Sequence, residues 1–331
     1  MSSIKTRECP GLPAEWINGW LAAVGITVIV PKIKLSWTQG ASPIAVLHHP
    51  DSDPKVTVSR AWPTRDRIEQ MPLAREYKDC AAMERQVPVE VFAERVGASR
   101  GHPDAWTLTS TLTDLAIEAG KASHAPFDPA GPGTIKWLHH RLLKVHSHIP
   151  HDDPAGIDSV VTEALDGLSI PVSDNGLGFD ISRLPDRAHD GGGNIMVEPV
   201  VEVLAFFGLA MLPVRGDGIN RRQERVRQRG HGIGGRREGV FVWPAWGQPL
   251  DRWGIDALLD SWHKSLKPRR AADGSFRGGT RADWDRFGVH AAWETRPYRP
   301  TASADSTRGF SSERIQPGPS RSSRQSRRSP N

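Results

Sequence analysis

The longest apolar run in the chain extends over residues 196–214, and Glu198, Pro199 and Glu202 interrupt its first half. Two carboxylates in the interior of a lipid bilayer are costly, so the run predicts a helix buried in a protein core rather than a transmembrane span. Pro199 suits the first position of that helix, where no backbone N–H is needed. The 300 residues that precede Thr301 are enough to build a core around it.

Patterns elsewhere predict a mixed α+β fold rather than regular βαβ alternation. Helical spacing of apolar residues predicts helices over residues 12–25, 65–71, 76–85, 89–96, 106–119, 134–148, 158–168, 200–211 and 252–262. Runs of β-branched and aromatic residues predict strands over residues 26–30, 33–37, 45–48, 56–59, 169–172, 239–243 and 286–293. Glycine and proline predict loops over 124–133 and 189–194, and Asn175-Gly176 predicts a tight turn over 173–176.

These elements suggest three parts. Residues 1–125 form an N-terminal α+β part, in which a helix is followed by a meander of short strands. Residues 126–299 form a mainly helical middle with a mixed C-terminal portion, and they include an arginine-rich loop over residues 215–240. Residues 300–331 are almost free of large apolar side chains, so they are expected to be a disordered tail rich in Arg, Ser and Pro.

Positive charge is concentrated in two segments of the chain. The net charge is +5, yet residues 215–240 alone carry eight arginines against three carboxylates, and residues 301–331 carry six against two. The rest of the chain is therefore mildly acidic. The arginines of the first segment are Arg215, Arg221, Arg222, Arg225, Arg227, Arg229, Arg236 and Arg237. We call residues 215–237 the arginine segment.

The arginine segment is the leading candidate for a binding site. Six glycines interrupt it, and it has no apolar periodicity, so it predicts a loop or mobile arm that can follow a phosphate backbone. Arginine binds phosphate bidentately and stacks on bases. The alternatives are a solvated loop and a codon bias towards arginine. Six tryptophans follow the segment, and exposed ones could stack on bases, although single tryptophans are usually core residues: Trp243, Trp246, Trp253, Trp262, Trp284 and Trp293.

A group of histidines raises the possibility of a metal site. It comprises His139, His140, His146, His148 and His151, followed by Asp152 and Asp153. The His151-Asp152 dipeptide matches part of a metal phosphohydrolase motif, but that motif needs its residues on a helix, and Pro150 and Pro154 bracket them in a loop. Exposed histidines without a metal are therefore the expected outcome.

The string DNGLGF, residues 174–179, matches a glycine box of the histidine-kinase and gyrase ATPase superfamily, the GHKL-like ATPases. In that superfamily the aspartate binds the adenine amino group and glycines make room for the base, which would place an ATP site at Asp174, Gly176 and Gly178. The superfamily's magnesium-binding asparagine has no counterpart in the helix predicted before the box, over residues 106–119. A simple turn explains Asp-Asn-Gly equally well.

Other signals limit the class of protein. Walker A, GxSxG and HExxH motifs are absent from the sequence, so we expect no catalytic residue, no cofactor and no metal. Cys9 and Cys80 lack CxxC spacing, and the first fifteen residues lack an apolar signal-peptide core. A cytoplasmic protein without a membrane partner is expected.

Several strings resemble those of a family of accessory proteins from type I-G (formerly I-U) CRISPR systems. They are LPAEWINGWLAAVGITV (12–28), LTSTLTDLAIEAGKASHAPFDPAGPGT (108–134), DNGLGFDISRL (174–184), EPVVEVLAFFGLAMLPVRG (198–216), FVWPAWGQPL (241–250) and TRGFSSERI (307–315). The resemblance covers most of residues 10–315 and carries over no catalytic residue. It implies a role in or beside a crRNA-guided complex, with crRNA, target DNA or effector subunits as partners. The alternatives are the ATP-binding protein and a protein–protein scaffold without nucleic-acid contact.

Overall fold

The computed structural model describes residues 4–71, 87–99, 102, 104, 112–118, 120–124, 141–174, 176–177, 196–212, 241–268, 276–298 and 309–318. Within these ranges the fold is mixed α+β, as predicted. The helices are α1 (Ile17–Ile29), α2 (Pro54–Arg60), α3 (Arg65–Glu69), α4 (Val89–Ser99), α5 (Pro154–Asp166), α6 (Pro199–Gly208), α7 (Arg252–Ser265) and α8 (Arg281–Phe287). Residues 141–146 are also helical.

The strands of the described residues are short and form small sheets. They are β1 (Lys5–Pro13), β2 (Lys34–Trp37), β3 (Ile44–His49), β4 (Val87–Pro88), β5 (Leu112–Glu118), β6 (Lys121–His124), β7 (Val172–Ser173), β8 (Met196–Val197), β9 (Val242–Trp246), β10 (Lys267–Pro268), β11 (Phe276–Thr280), β12 (Val289–Tyr298), β13 (Gly309–Arg314) and β14 (Pro317–Gly318). Antiparallel pairing gives the sheets β1-β3-β2, β13-β12-β9 and β4-β6-β5 and the pair β7-β8. In the sheet β10-β11-β14, the β11–β14 pair is parallel.

Two apolar helices, α1 and α6, form the centre of the molecule. Every residue of α6 is buried, which confirms the helix predicted from the apolar run, and Pro199 occupies its first turn. Glu198 caps it by accepting a hydrogen bond from the Val200 amide. Glycines allow the two backbones to meet, because a Cβ on Gly25 would lie 1.9 Å from the Leu204 carbonyl oxygen. None of the described helices has the length and apolarity needed to cross a bilayer.

Tryptophans connect this helix pair to the sheet β13-β12-β9. The Trp20 indole N–H donates to the Pro244 carbonyl over 2.8 Å, and the Trp243 indole N–H donates to the Ala14 carbonyl over 2.7 Å. The sheet β1-β3-β2 joins the same core through Trp246, whose indole N–H donates to the Leu35 carbonyl. One buried cluster therefore includes residues on both sides of residue 125, the suggested boundary between parts.

Two strands predicted near the N-terminus are helical. Residues 26–29 form the last turn of α1, since burial against α6 outweighs the β preference of their branched side chains. The strand predicted over 56–59 is wrong because these residues lie within α2. That helix begins at Pro54, and the Asp53 carboxylate caps it by accepting from the Lys55 amide. The strands predicted over 33–37 and 45–48 are confirmed as β2 and β3.

The helix predicted over 106–119 is also wrong where the structure describes it, because residues 112–118 form β5. This strand pairs with β6 across a two-residue loop in which Gly120 has a φ of 76°. Pairing with a neighbouring strand therefore determines the conformation, although the apolar spacing also fits a helix. The predicted helices 65–71, 89–96, 158–168 and 252–262 are confirmed, with shifted ends, by α3, α4, α5 and α7.

The C-terminal predictions need two corrections. The strand predicted over 286–293 begins only at Val289, because α8 extends to Phe287 and ends at Gly288, which has a φ of 65°. Within the tail expected to be disordered, residues 309–314 form β13 on β12, and Ile315 is buried. Burial of Ile315 explains why this part of a polar segment is ordered. Residues 316–318 are described as well, and Pro317–Gly318 form β14. The remaining tail residues, 300–308 and 319–331, and the predictions over 76–85, 125–133, 134–140 and 189–194 lie outside the described residues.

Candidate functional site

The eight arginines of the arginine segment all lie outside the described residues. The structure does describe Leu212 before the segment and Phe241 after it, and both are buried. Phe241 exchanges hydrogen bonds with Thr295 of β12: its amide donates to the hydroxyl over 2.9 Å, and its carbonyl accepts from the Thr295 amide over 2.8 Å. The chain on either side of the segment is therefore attached to the hydrophobic core.

The candidate ATP residue Asp174 is a buried carboxylate that pairs with two more exposed basic side chains. Its carboxylate accepts hydrogen bonds from His148 Nε2 and Lys144 Nζ, each over 3.0 Å, and from the Gly176 amide, also over 3.0 Å. The side chain is only 1% exposed. Burial would raise the pKa of Asp174, but the hydrogen bonds from His148, the Gly176 amide and Lys144 outweigh it and hold the pKa below its usual value.

These contacts give Asp174 a structural role. Gly176 has a φ of 52°, as the predicted turn requires, and the adjacent Leu177 amide donates to the buried Glu202 carboxylate over 2.5 Å. The turn does not close a two-residue hairpin, since β7 before it pairs with β8 at residues 196–197. Because the Asp174 side chain is only 1% exposed, an adenine amino group could reach its carboxylate only if these neighbours moved. Gly178, the third residue of the candidate ATP site, lies outside the described residues.

The histidines of the candidate metal site have separate environments. His148 binds Asp174, whereas His146 is buried and its Nε2 lies 2.7 Å from the Pro63 carbonyl, to which it must donate. The His146 ring stacks on Trp62 and on His151, with centroids 6.1 Å and 4.9 Å away. Asp153 caps α5 by accepting from the Ala155 amide. Among the described residues no group of His, Cys, Asp or Glu is arranged to hold a metal ion; His139 and His140 lie outside them.

A pocket of about 820 Å³ opens between α1, α3 and α7. Its lining comes from four separate stretches of the chain, namely the end of α1 and the turn after it, α3 with its cap, residues 102 and 104, and the start of α7. The lining residues are Val28, Ile29, Pro31, Thr64, Asp66, Arg67, Gln70, His102, Asp104 and Arg252. The volume lies within the range of about 300–1,000 Å³ that is common for small-molecule sites.

Arg67 occupies a fixed position in this pocket. Its guanidinium makes a bidentate pair with Asp104, with Nε to Oδ2 at 3.2 Å and Nη2 to Oδ1 at 3.0 Å. It also lies over the Phe207 ring of α6, 5.0 Å from the centroid. Asp104 is buried, and its amide donates to His102 Nδ1 over 3.1 Å. The pair thus presents a rigid, electrically neutral wall of donors and acceptors.

Arg252 lies at the start of α7 beside an exposed aromatic ring. Its guanidinium carbon is 4.3 Å from the centroid of Trp253, a side chain that is 57% exposed. The other five tryptophans that follow the arginine segment are buried, so the expectation of core tryptophans is confirmed for them and wrong for Trp253.

Sequence reasoning missed this pocket because its residues form no local motif. One signal was present: the buried face of α7 follows helical spacing through Ile255, Leu258, Leu259 and Trp262, and Trp253 lies outside that stripe. The exposure of Trp253 could therefore have been predicted from the sequence, but the pocket that its neighbour Arg252 lines could not.

Comparison of this chain with protein-family models, with curated proteins and with solved structures finds no match.

Proposed function

We propose that the chain is a non-catalytic subunit or accessory protein of a prokaryotic CRISPR defence system, and that it binds nucleic acid through the arginine segment. The observation that carries the binding proposal is the placement of charge. Residues 215–240 carry eight arginines against three carboxylates, while the chain outside this segment and the tail is net acidic. Like charges at this density repel one another, and a polyanion relieves that repulsion. The CRISPR context depends on the family resemblance of the strings quoted above.

The connection of the segment to the core supports this proposal. Leu212 and Phe241 are both buried, so a basic segment between them is held to the body of the protein at two points. A segment held in this way loses less conformational entropy on binding than a free terminal arm. The glycines between the arginines let their side chains follow a phosphate backbone without a rigid fit.

The dependence of binding on salt tests the proposal. Each phosphate contact contributes about −0.9 to the slope of log K against log[salt] for duplex DNA and about −0.7 for single strands. Replacing Arg221, Arg222, Arg225, Arg227 and Arg229 by alanine should flatten the slope by up to about 3.5 units for single strands and about 4.5 units for duplex DNA. Lysine at the same five positions is the matched control, since it keeps the charge and should keep most of the slope. Alanine at Arg321, Arg324, Arg327 and Arg328 tests the tail separately.

Three outcomes would count against the proposal. An unchanged slope in the alanine variant would remove the arginine segment from the binding site. Co-purification with effector subunits that persists after nuclease treatment and in high salt, without any affinity for oligonucleotides, would instead favour the protein–protein scaffold. Binding of millimolar ATP and magnesium that Asp174→Asn abolishes would favour the ATP-binding alternative.

A further inference from the structure

We propose that the pocket between α1, α3 and α7 binds one nucleotide unit, with the base inside the pocket and its phosphate near Arg252. The inference rests on the proposed function, because it supplies a site for an unstacked base next to the arginine segment along the chain. It goes beyond that function by assigning base recognition to a second set of residues. The phosphate affinity of the arginine segment and the base affinity of the pocket are then separable.

The walls of the pocket match the two aspects of a nucleobase. Val28, Ile29 and Pro31 provide an apolar surface for the face of the ring. Hydrogen-bonding groups for its edge are provided by Asp66 and Gln70, whose exposed side chains make no hydrogen bond with any other described residue. A base has both a flat apolar face and a polar edge, and protein sites for unstacked bases combine contacts to both.

His102 adds a donor of defined direction. Its Nδ1 accepts from the Asp104 amide over 3.1 Å, so the proton of the neutral ring lies on Nε2. With Gln70 and Asp66, the lining thus offers both donors and acceptors, which the edges of all bases require. Such a lining suits a polar heterocycle better than an alkyl chain.

The charges of the pocket favour a nucleotide over a bare anion. The Asp104 carboxylate pairs with Arg67, and the lining holds one further carboxylate, Asp66, and one further guanidinium, Arg252, so the formal charges of these four side chains sum to zero. A free phosphate or sulfate would therefore gain little there. A nucleotide can place its uncharged base against the Arg67–Asp104 pair and its charged phosphate at Arg252. Arg252 is the lining arginine that contacts Trp253.

Trp253 gives a stacking surface next to the pocket. The indole is 57% exposed, and Arg252 lies over one face of it while lining the pocket. Stacking of bases on exposed aromatic rings is the main sequence-tolerant contribution to single-strand binding. In the sequence, β9 and α7 are the first described elements after the arginine segment.

The test uses the full chain and fluorescent single-stranded homopolymers of A, C, G and U or T at several salt concentrations. Trp253→Ala should weaken binding by about 5- to 100-fold, as expected for the loss of one stacked base, with the salt slope unchanged. Gln70→Ala should change the preference among the four bases. Gln316→Ala, which removes an exposed glutamine outside the pocket, is the matched control and should have no effect. Urea unfolding of each variant verifies that these surface changes preserve the fold.

The outcomes separate this proposal from the proposed function. If the alanine variant of the arginine segment flattens the salt slope while Trp253→Ala and Gln70→Ala bind like the unmodified chain, the pocket proposal is overturned and the proposed function remains. If the chain binds no oligonucleotide, calorimetric titration with the four nucleoside 5′-monophosphates decides about the pocket. Binding that Gln70→Ala and Arg252→Ala weaken identifies a site for free nucleotides, whereas no binding of any monophosphate overturns the pocket proposal as well.

Discussion

Gly25 of α1 lies against the backbone of Leu204 in α6, so close that a Cβ built on Gly25 would be 1.9 Å from the Leu204 carbonyl oxygen. The contact is nearly reciprocal, because a Cβ on Gly208 of α6 would be 2.1 Å from the Leu21 carbonyl oxygen of α1. The two helices therefore meet backbone to backbone at two points. Their glycines are required by this close approach, although glycine is unfavourable inside a helix.

Gly25→Ala should destabilise the protein by about 2–4 kcal/mol, because the added methyl group forces the two central helices apart in a tightly packed core. Gly97→Ala is the matched control, since Gly97 is an exposed glycine of α4 with no atom within 4 Å of a built Cβ. There alanine should be neutral or stabilising by about 0.5–1 kcal/mol. Urea unfolding followed by tryptophan fluorescence measures both. Equal effects at the two sites would contradict the close helix contact.

Asp174→Asn should lower the free energy of unfolding at pH 7 by about 1–3 kcal/mol, because a buried acceptor of charged hydrogen bonds is lost. The pKa of Asp174 is held below its unfolded value, so its contribution is present above that value and is lost as pH falls through the folded pKa. The difference between the variant and the unmodified protein should accordingly shrink near pH 3. Asp285→Asn, at an exposed pair with Arg281, should change stability by less than about 0.5 kcal/mol.

Protonation of one buried and two half-buried histidines should weaken the fold below neutral pH. Burial lowers the pKa of His146, as do the nearby His151 and Arg65, although its hydrogen bond to Pro63 opposes the shift. Burial lowers the pKa of His48 and of His290 as well. Their neutral forms stabilise the folded state fully above the unfolded pKa near 6.5, and stability decreases as pH falls from there towards the folded values.

His146→Gln isolates one of these contributions, because the glutamine amide can donate to the Pro63 carbonyl but does not titrate. Unfolding free energies measured in urea at pH 7.5 and 5.5 should differ less in the variant than in the unmodified protein. Each unit of pKa depression corresponds to about 1.4 kcal/mol. An identical pH dependence in the two proteins would show that His146 is not responsible.

The thiol of Cys9 should be inert in the folded protein. Burial raises its pKa to about 12, with the positive charge of Lys55 opposing this. In a Cys80→Ser variant Cys9 is the sole cysteine. A thiol-reactive reagent at pH 8 should then modify the protein only as fast as it unfolds, and the rate should rise steeply across the urea transition. Rapid modification in native buffer would mean that the sheet β1-β3-β2 leaves the Cys9 thiol accessible to solvent.

The sequence predicts those elements that the pattern of neighbouring residues determines. Helix α6 was recognised because an apolar run interrupted by two glutamates fits only a protein interior. Strands β2 and β3 were recognised from local patterns, and the turn at Gly176 from its Asn-Gly pair. In each of these cases neighbouring residues carry the information.

Errors occurred where a distant contact decides the conformation. The end of α1 has branched residues typical of strands, but α6, more than 170 positions away, holds it helical. The apolar spacing over residues 112–118 fits a helix, yet pairing with β6 makes it a strand. The candidate pocket is the extreme case, since Asp104, Arg67 and Arg252 come from three different stretches and no local pattern links them.

Trp20 and Ala14 find their partners at Pro244 and Trp243, more than 220 positions further along the chain. A ribosome adding about 5–20 residues per second needs on the order of 10–50 seconds between releasing the first of these groups and the last. During that interval the thirteen uncharged residues of α1 are present without α6 and β9, against which they pack in the folded protein. Yield in a heterologous host should consequently depend on chaperones that shield nascent chains and on slower, cooler synthesis.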